Sequence, residues 1–197
     1  MKVRIKPLLA AVAFMLAAIS VPAPAQDGGW FAGLGIGYLK SDDGCPATPA
    51  PGVACDDKDT TWKLFGGYQF NAYLGVELGL ADMGDRPATV TGLGPATAKF
   101  RVFETLLVGT LPLNQHFSVY GKAGIYQWDV DFEFPAGVAG SADANGNDYT
   151  VGLGVRYNFT RNAALRLEWQ RYNSMGDRNT TGRFNADVFG VGALVSF

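Results

Sequence analysis

Apolar residues alternate with polar or small residues through most of this 197-residue chain, and this period-two pattern restricts its fold more than any other feature. Side chains of a β-strand point alternately to its two faces, so the pattern predicts strands with one apolar face each. In residues 73–80, for example, one face carries Leu74, Val76, Leu78 and Leu80. The opposite face carries Gly75, Glu77 and Gly79. We therefore expect an all-β fold.

The amino-terminal segment has the organisation of a secretory signal peptide. Basic residues precede a run of apolar residues over positions 8–19, and Ala23-Pro24-Ala25 supplies the small residues that a signal peptidase requires. The apolar run is shorter than the roughly 20 residues that a transmembrane helix needs. We expect residues 1–25 to be a cleaved signal peptide and residues 26–197 to form the mature domain.

No later segment has the length and apolarity of a transmembrane helix. An exported chain of this kind is either a soluble periplasmic protein or a closed membrane barrel, in which all backbone groups are paired. Small-residue faces such as Gly33, Gly35 and Gly37 favour a narrow barrel, because its lumen has little room. The chain has 18 acidic against 16 basic residues and no basic cluster, which argues against a nucleic-acid partner.

Eight alternating segments are predicted as strands, over residues 30–41, 60–70, 73–83, 98–111, 117–134, 148–159, 163–175 and 184–197. Short connections (71–72, 114–116, 160–162) alternate with long ones (42–59, 84–97, 135–147, 176–183), as outer-membrane barrels require. The short turns are expected in the periplasm and the long loops outside the cell. The predicted fold class is an eight-stranded antiparallel up-and-down transmembrane β-barrel in the bacterial outer membrane.

The segment 98–111 does not divide cleanly into two faces. The face with Lys99, Arg101, Thr105 and Gly109 is expected to point inward, which turns Glu104 toward lipid. A carboxylate near the bilayer midplane is destabilising. Either a bulge shifts the register or Glu104 lies near an interface.

Several motifs resemble the transmembrane domain of the OmpA-like family. Residues 65–79 (FGGYQFNAYLGVELG) resemble its second-to-third strand hairpin, residues 166–170 with 175–177 its seventh strand and fourth loop, and residues 111–113 with 120–124 its fourth-to-fifth strand turn. The resemblance implies a barrel-only member without the peptidoglycan-binding domain. The last apolar stripe resembles the carboxyl-terminal signal that the outer-membrane assembly machinery reads: Phe189, Val191, Ala193, Val195 and Phe197.

Six charged residues are expected on inward faces: Lys63, Glu77, Lys122, Arg156, Arg166 and Glu168. An eight-stranded barrel is only just wide enough to be filled by side chains, and charges inside it must pair because unpaired ones lose their hydration. The resemblance implies a salt-bridge network that plugs the lumen, with Arg156 in place of an acid. Two interpretations stay open: a packed polar core, or a gate whose pairs exchange to admit ions.

The only two cysteines, Cys45 and Cys55, lie in the first long loop, where an exported protein is expected to form a disulfide. In the chain-entropy model such a bridge contributes roughly 3 kcal/mol to stability.

Asp129, Asp131 and Glu133 are expected to form a solvated acidic rim rather than a metal site. Aromatic girdles are expected at both interfaces, with Trp62, Trp128 and Trp169 toward the extracellular side.

The expected function is structural and surface-exposed, in envelope integrity or loop-mediated contacts; the alternative is a small-conductance porin. We expect no enzyme, because some small barrels act on lipid A with a base near the outer leaflet, whereas the single histidine, His116, falls in a predicted periplasmic turn. No cofactor or metal is expected. The expected partners are outer-membrane lipids and lipopolysaccharide, the outer-membrane assembly machinery and periplasmic chaperones; no motif identifies a surface ligand.

Overall fold

The computed structural model describes residues 28–42, 58–90, 94–133, 142–175 and 184–197. They form eight strands: β1 (Gly29–Asp42), β2 (Lys58–Gln69), β3 (Leu74–Val90), β4 (Gly94–Pro112), β5 (Phe117–Glu133), β6 (Ala142–Asn158), β7 (Ala163–Met175) and β8 (Phe184–Ser196). Each strand pairs antiparallel with its neighbours in sequence, and β8 pairs with β1 to close the barrel. The predicted fold class and strand number are confirmed. In the described part of the chain, no helix is long and apolar enough to cross a bilayer.

Three short turns at one end of the barrel, here called the turn end, are built in the same way. In each turn one polar side chain accepts hydrogen bonds from two backbone N–H groups that follow it. The Asn71 side-chain oxygen accepts from the N–H groups of Tyr73 and Leu74 at 2.8 and 3.0 Å. The Asn114 side-chain oxygen and the Thr160 hydroxyl oxygen likewise each accept from the N–H groups two and three residues later in the chain. Such local bonds are why Asn and Thr favour turns. Trp30 and Phe197 exchange backbone bonds at the same end.

The opposite end, here called the loop end, has longer strands than the sequence predicted. Residues 84–90 and 94–97 were expected to lie in a loop, but β3 and β4 stay paired up to Val90 and Gly94. Likewise β5 and β6 stay paired up to Phe132 and Ala142. These segments are rich in glycine, proline and aspartate, which are typical of loops, and so the sequence predicted loops here. The strands continue nevertheless, because the hydrogen bonds between strands join backbone groups and do not require apolar side chains.

Alternation places large apolar side chains on the outside of the barrel. Leu34, Ile36, Leu107, Ile125 and Leu153 are each about 60% exposed. The predicted outward stripe of β8 does face out, with Phe189, Val191 and Val195 among the exposed residues. An apolar outer band of this extent matches the surface that a membrane barrel presents to lipid.

Two bulges interrupt the ladders near the loop end. One shifts β3 between Asp82 and Asp85, where Gly84 has φ of 81°, and the other shifts β7 between Tyr172 and Met175, where Ser174 has φ of 55°. A bulge turns the next side chain to the other face. Met83 and Met175 beside these bulges are both buried inside the barrel.

Candidate functional site in the barrel lumen

Charged side chains meet in the middle of the lumen because period-two alternation turns them inward from five strands. Each has at most 10% of its side chain exposed, and the group comprises Lys63 on β2, Glu77 on β3, Glu104 on β4, Lys122 on β5, and Arg166 and Glu168 on β7. We call these six residues the lumen network. Five of them are among the inward charges that the sequence predicted.

Arg166 and Lys122 alternate with two carboxylates around a closed circuit. Arg166 Nη1 donates to Glu77 Oε2 at 2.6 Å, and its Nε lies 3.3 Å from Glu168 Oε2. Lys122 Nζ donates to Glu168 Oε1 at 2.7 Å and lies 3.6 Å from Glu77 Oε1. Each carboxylate in the circuit therefore contacts two cations.

Lys63 joins this circuit to a third carboxylate, Glu104. Its Nζ pairs with Glu104 Oε1 and lies 3.2 Å from Glu77 Oε1 and 3.7 Å from Glu168 Oε1. Gln170 and Tyr172 donate to Glu104 Oε2 at 2.7 and 2.9 Å. Charge-assisted hydrogen bonds of this kind fix the orientation of a buried carboxylate.

The expected orientation of β4 was wrong. Arg101, Thr105 and Gly109 face outward, whereas Glu104 is fully buried in the lumen, and no bulge interrupts the pairing of residues 97–112 with β5. Lipid offers a carboxylate no partner, but the lumen offers Glu104 a cation and two donors. Arg101 lies near the loop end, where it can face outward and lie 3.5 Å from Asp131.

Glycines make room for these long side chains. A Cβ added at Gly79 would lie 2.6 Å from Glu104 Oε1 and 2.9 Å from Lys63 Cε, closer than real side chains approach. At Gly35, by contrast, the nearest atom to an added Cβ would be 3.5 Å away. A side chain at Gly79 would therefore displace Glu104 and Lys63, whereas a Cβ at Gly35 would make only ordinary van der Waals contact.

Arg156 is the predicted member that the structure leaves outside the network. Its guanidinium carbon lies 5.8 Å from the centre of the Tyr120 ring, and Tyr120 in turn donates to Glu168 Oε2 at 2.9 Å. Among the described residues, no carboxylate comes within ion-pair distance of Arg156. Arg156 is half-buried on the turn-end side of the network, opposite Ser118 on β5 and Arg166 on β7.

An apolar cluster lies in the lumen between the network and the loop end. Its members include Leu39, Met83, Phe100, Tyr126, Trp128, Tyr172 and Met175. Trp128 was expected near the extracellular interface, but it is only 4% exposed and lies inside the barrel. It is one of the alternate residues of β5 whose side chains point into the lumen. A smaller apolar cluster at the turn end contains Phe31, Phe65, Ala164 and Leu194.

The remaining sequence expectations concern residues away from the lumen. Asp129 and Asp131 are exposed on the outer face of β5, and His116 lies in a turn, with its ring 6.2 Å from that of Tyr157. Cys45 and Cys55 lie outside the described residues, as do residues 1–27, so the disulfide and the signal peptide stay predictions.

The lumen network can hold strands together across the barrel or exchange ion-pair partners. Removing charges from water costs several kcal/mol per ion, so the pairs do not by themselves guarantee stability. They do make each charge depend on partners from other strands. The sequence did not identify Glu104 as a member of the network, or Gln170 and Tyr172 as its hydrogen-bond donors. The signal that could have found Glu104 is a single carboxylate in a strand that is apolar on both faces.

Comparison with known proteins gives a consistent result. Residues 9–197 match the family model described as outer membrane protein beta-barrel domain. Outer membrane protein A of Salmonella typhi is 30% identical over 195 residues, which cover 95% of this chain and 54% of the relative. Outer membrane protein P5 of Haemophilus influenzae is 28% identical, covering 98% of this chain and 60% of that relative. The chain thus spans about half the length of the curated relatives it matches.

Solved structures with a similar fold are also outer-membrane barrels. Neisserial surface protein A aligns with a TM-score of 0.66 and 15% identity, covering 87% of this chain and all of that one. OprG from Pseudomonas aeruginosa aligns with a TM-score of 0.58 and 20% identity, covering 87% and 97%. At these identities the likeness concerns the fold alone.

Proposed function

Since this chain belongs to the family of outer-membrane protein β-barrel domains, we propose that it is a structural outer-membrane scaffold with a closed lumen and a surface-exposed loop end. Family membership identifies it as an outer-membrane barrel and not as an enzyme. The observation that supports the proposal is the arrangement of the lumen side chains: the apolar cluster lies on the loop-end side of a paired charge network. A scaffold of this kind would strengthen the outer membrane and expose its loop end at the cell surface, and it would not transport solutes.

The closed lumen serves this role by fixing strand positions. Pairs such as Arg166–Glu77 join β7 to β3 across the interior, so the strands are held by more than neighbouring ladder bonds. The outer apolar band contacts lipid and lipopolysaccharide, while the long paired strands of the β3–β4 and β5–β6 hairpins end at the loop end. In this role the two hairpins would be exposed outside the cell and could contact other molecules there. No particular ligand is proposed for them.

A cell-based assay separates a structural role from a transport role. In a strain that lacks the protein, a structural role predicts greater sensitivity to detergents, with unchanged uptake of small hydrophilic solutes. Expression of the wild-type chain should restore resistance. Slower solute uptake in the deletion strain, with detergent resistance intact, would contradict the proposal.

A small ion pore is the second candidate, and one observation favours it. Glu77 and Glu168 each contact both Lys122 and Arg166, so their pairs could exchange without leaving a charge alone. Exchange would open a path through the network. Because the apolar cluster would still lie in the path, a pore also requires that cluster to move.

A further inference from the structure

We propose that the lumen binds one small monovalent anion, of the chloride class, at Arg156 on the turn-end side of the network. The inference goes beyond the scaffold role and does not depend on whether the lumen conducts. It rests on an excess of one cation over carboxylates among the inward side chains, and on buried hydrogen-bond donors that have no acceptor. These two observations are independent of each other.

The imbalance is one positive charge. From the level of Lys63 to the turn end, the described inward side chains include four cations, Lys63, Lys122, Arg156 and Arg166, and three carboxylates, Glu77, Glu104 and Glu168. The three carboxylates contact the other three cations, so the excess belongs to Arg156. Arg156 is half-buried, so it has lost part of its hydration without gaining a counter-charge, and this is unfavourable.

The register makes this cost larger. Arg156 and Arg166 are direct partners across β6 and β7, and both point inward. Like charges directly opposite each other in a sheet destabilise the pair. Glu77 and Glu168 neutralise Arg166, while Arg156 faces Ser118, Tyr120 and Arg166.

Hydrogen-bond donors without partners lie on this side of the lumen. Within the described residues, Arg156 Nε and Thr110 Oγ1 are buried and make no hydrogen bond. Thr110 is the direct partner of Tyr120 on β5, and the buried Ser118 is the direct partner of Arg156. The Arg156 guanidinium and the hydroxyls of Ser118 and Thr110 can all donate hydrogen bonds, so this side of the lumen carries donors for an anion.

The size of the imbalance selects the charge of the ligand. A monovalent anion would neutralise the single excess charge, whereas sulfate would replace it with an excess of the opposite sign. Arg156 also lies toward the turn end, on the opposite side of the network from the apolar cluster. The anion is therefore expected to enter from the turn end.

Thermal unfolding of the refolded protein in detergent micelles tests the site. At equal ionic strength, sodium chloride should raise the unfolding midpoint of the wild type by about 2–4 °C over sodium gluconate, whose anion is a much larger carboxylate, because a ligand bound only to the folded state stabilises it. The variant Arg156→Gln should show no such difference. An equal midpoint for the wild type in both salts would overturn the proposal.

A second variant keeps the test decisive if Arg156→Gln fails to fold. Ser118→Asp places a carboxylate opposite Arg156, so it should abolish the chloride effect, whereas the neutral Ser118→Asn should retain it. A chloride effect that persists in Arg156→Gln or Ser118→Asp would mean that the anion acts elsewhere, and would equally overturn the assignment.

Discussion

Lys63 contacts three carboxylates at once, which makes it the residue on which the lumen network most depends. It pairs with Glu104, and its Nζ lies within 3.7 Å of both Glu77 and Glu168. Glu104 has no other cation within the described residues, although Gln170 and Tyr172 donate to it. The two partners are thus unequal: Lys63 keeps carboxylates without Glu104, but Glu104 keeps no cation without Lys63.

This asymmetry gives a testable order of stabilities. Lys63→Met should lower the free energy of unfolding by about 3–5 kcal/mol, because it leaves a buried carboxylate without a cation. Glu104→Gln should cost less, and the double variant should cost less than the sum of the two. Urea unfolding in lipid vesicles measures all three. Strictly additive losses would show that the two side chains do not interact as described.

Inward glycines allow a second test at single positions. Gly79→Ala should destabilise the barrel by about 1–3 kcal/mol, since its Cβ would meet Glu104 and Lys63 at less than 3 Å. Gly35→Ala is the matched control, because Gly35 also faces inward but an added Cβ there would lie 3.5 Å from the nearest atom, an ordinary van der Waals contact. The urea concentration at the unfolding midpoint should therefore be lower for Gly79→Ala than for Gly35→Ala. Equal midpoints would contradict the packing around Gly79.

Among the strands, β7 carries an unusual backbone feature. Ser174 adopts φ of 55° in the bulge that turns Met175 into the apolar cluster, and its N–H donates to Asn185 Oδ1 at 3.0 Å. Non-glycine residues pay roughly 1–2 kcal/mol for this left-handed conformation. The bulge places Met175 inside the barrel, where burial of its side chain with the apolar cluster offsets this cost.

Substitution at Ser174 should therefore depend on the backbone and not on the hydroxyl. Ser174→Gly is expected to raise the free energy of unfolding by up to about 1 kcal/mol, whereas Ser174→Val should lower it by about 1–3 kcal/mol, since a β-branched residue tolerates positive φ poorly. Chemical unfolding of both variants provides the check. A more stable valine variant would show that the bulge does not persist in solution.

The strands also show how far sequence reasoning reaches. Alternation identified eight strands and the inward faces of most of them, because one face of each was clearly apolar. In β4 both faces are apolar, with Leu106 and Val108 inside and Leu107 outside, so two basic residues near its end misled the assignment. The partners of Glu104 come from β2 and β7, and alternation within one strand says nothing about contacts across the lumen.

For the whole molecule, the lumen contains three layers between the loop end and the turn end. An apolar cluster lies toward the loop end, the charge network lies in the middle, and a smaller apolar cluster with Arg156 beside the network lies toward the turn end. Alternation alone does not predict this order, because it assigns faces and not depth. The layers together would prevent ions from passing through the lumen from one end to the other.

Single-channel recording of the refolded wild type in a planar lipid bilayer tests this closure most directly. Folding should first be verified by the resistance of the barrel to unfolding in cold detergent. We predict no stable conductance steps, either for the wild type or for Lys40→Met, a control whose side chain is exposed on the outside of the barrel. Stable, salt-dependent steps that change in Lys122→Met would contradict the closed lumen and establish the ion pore.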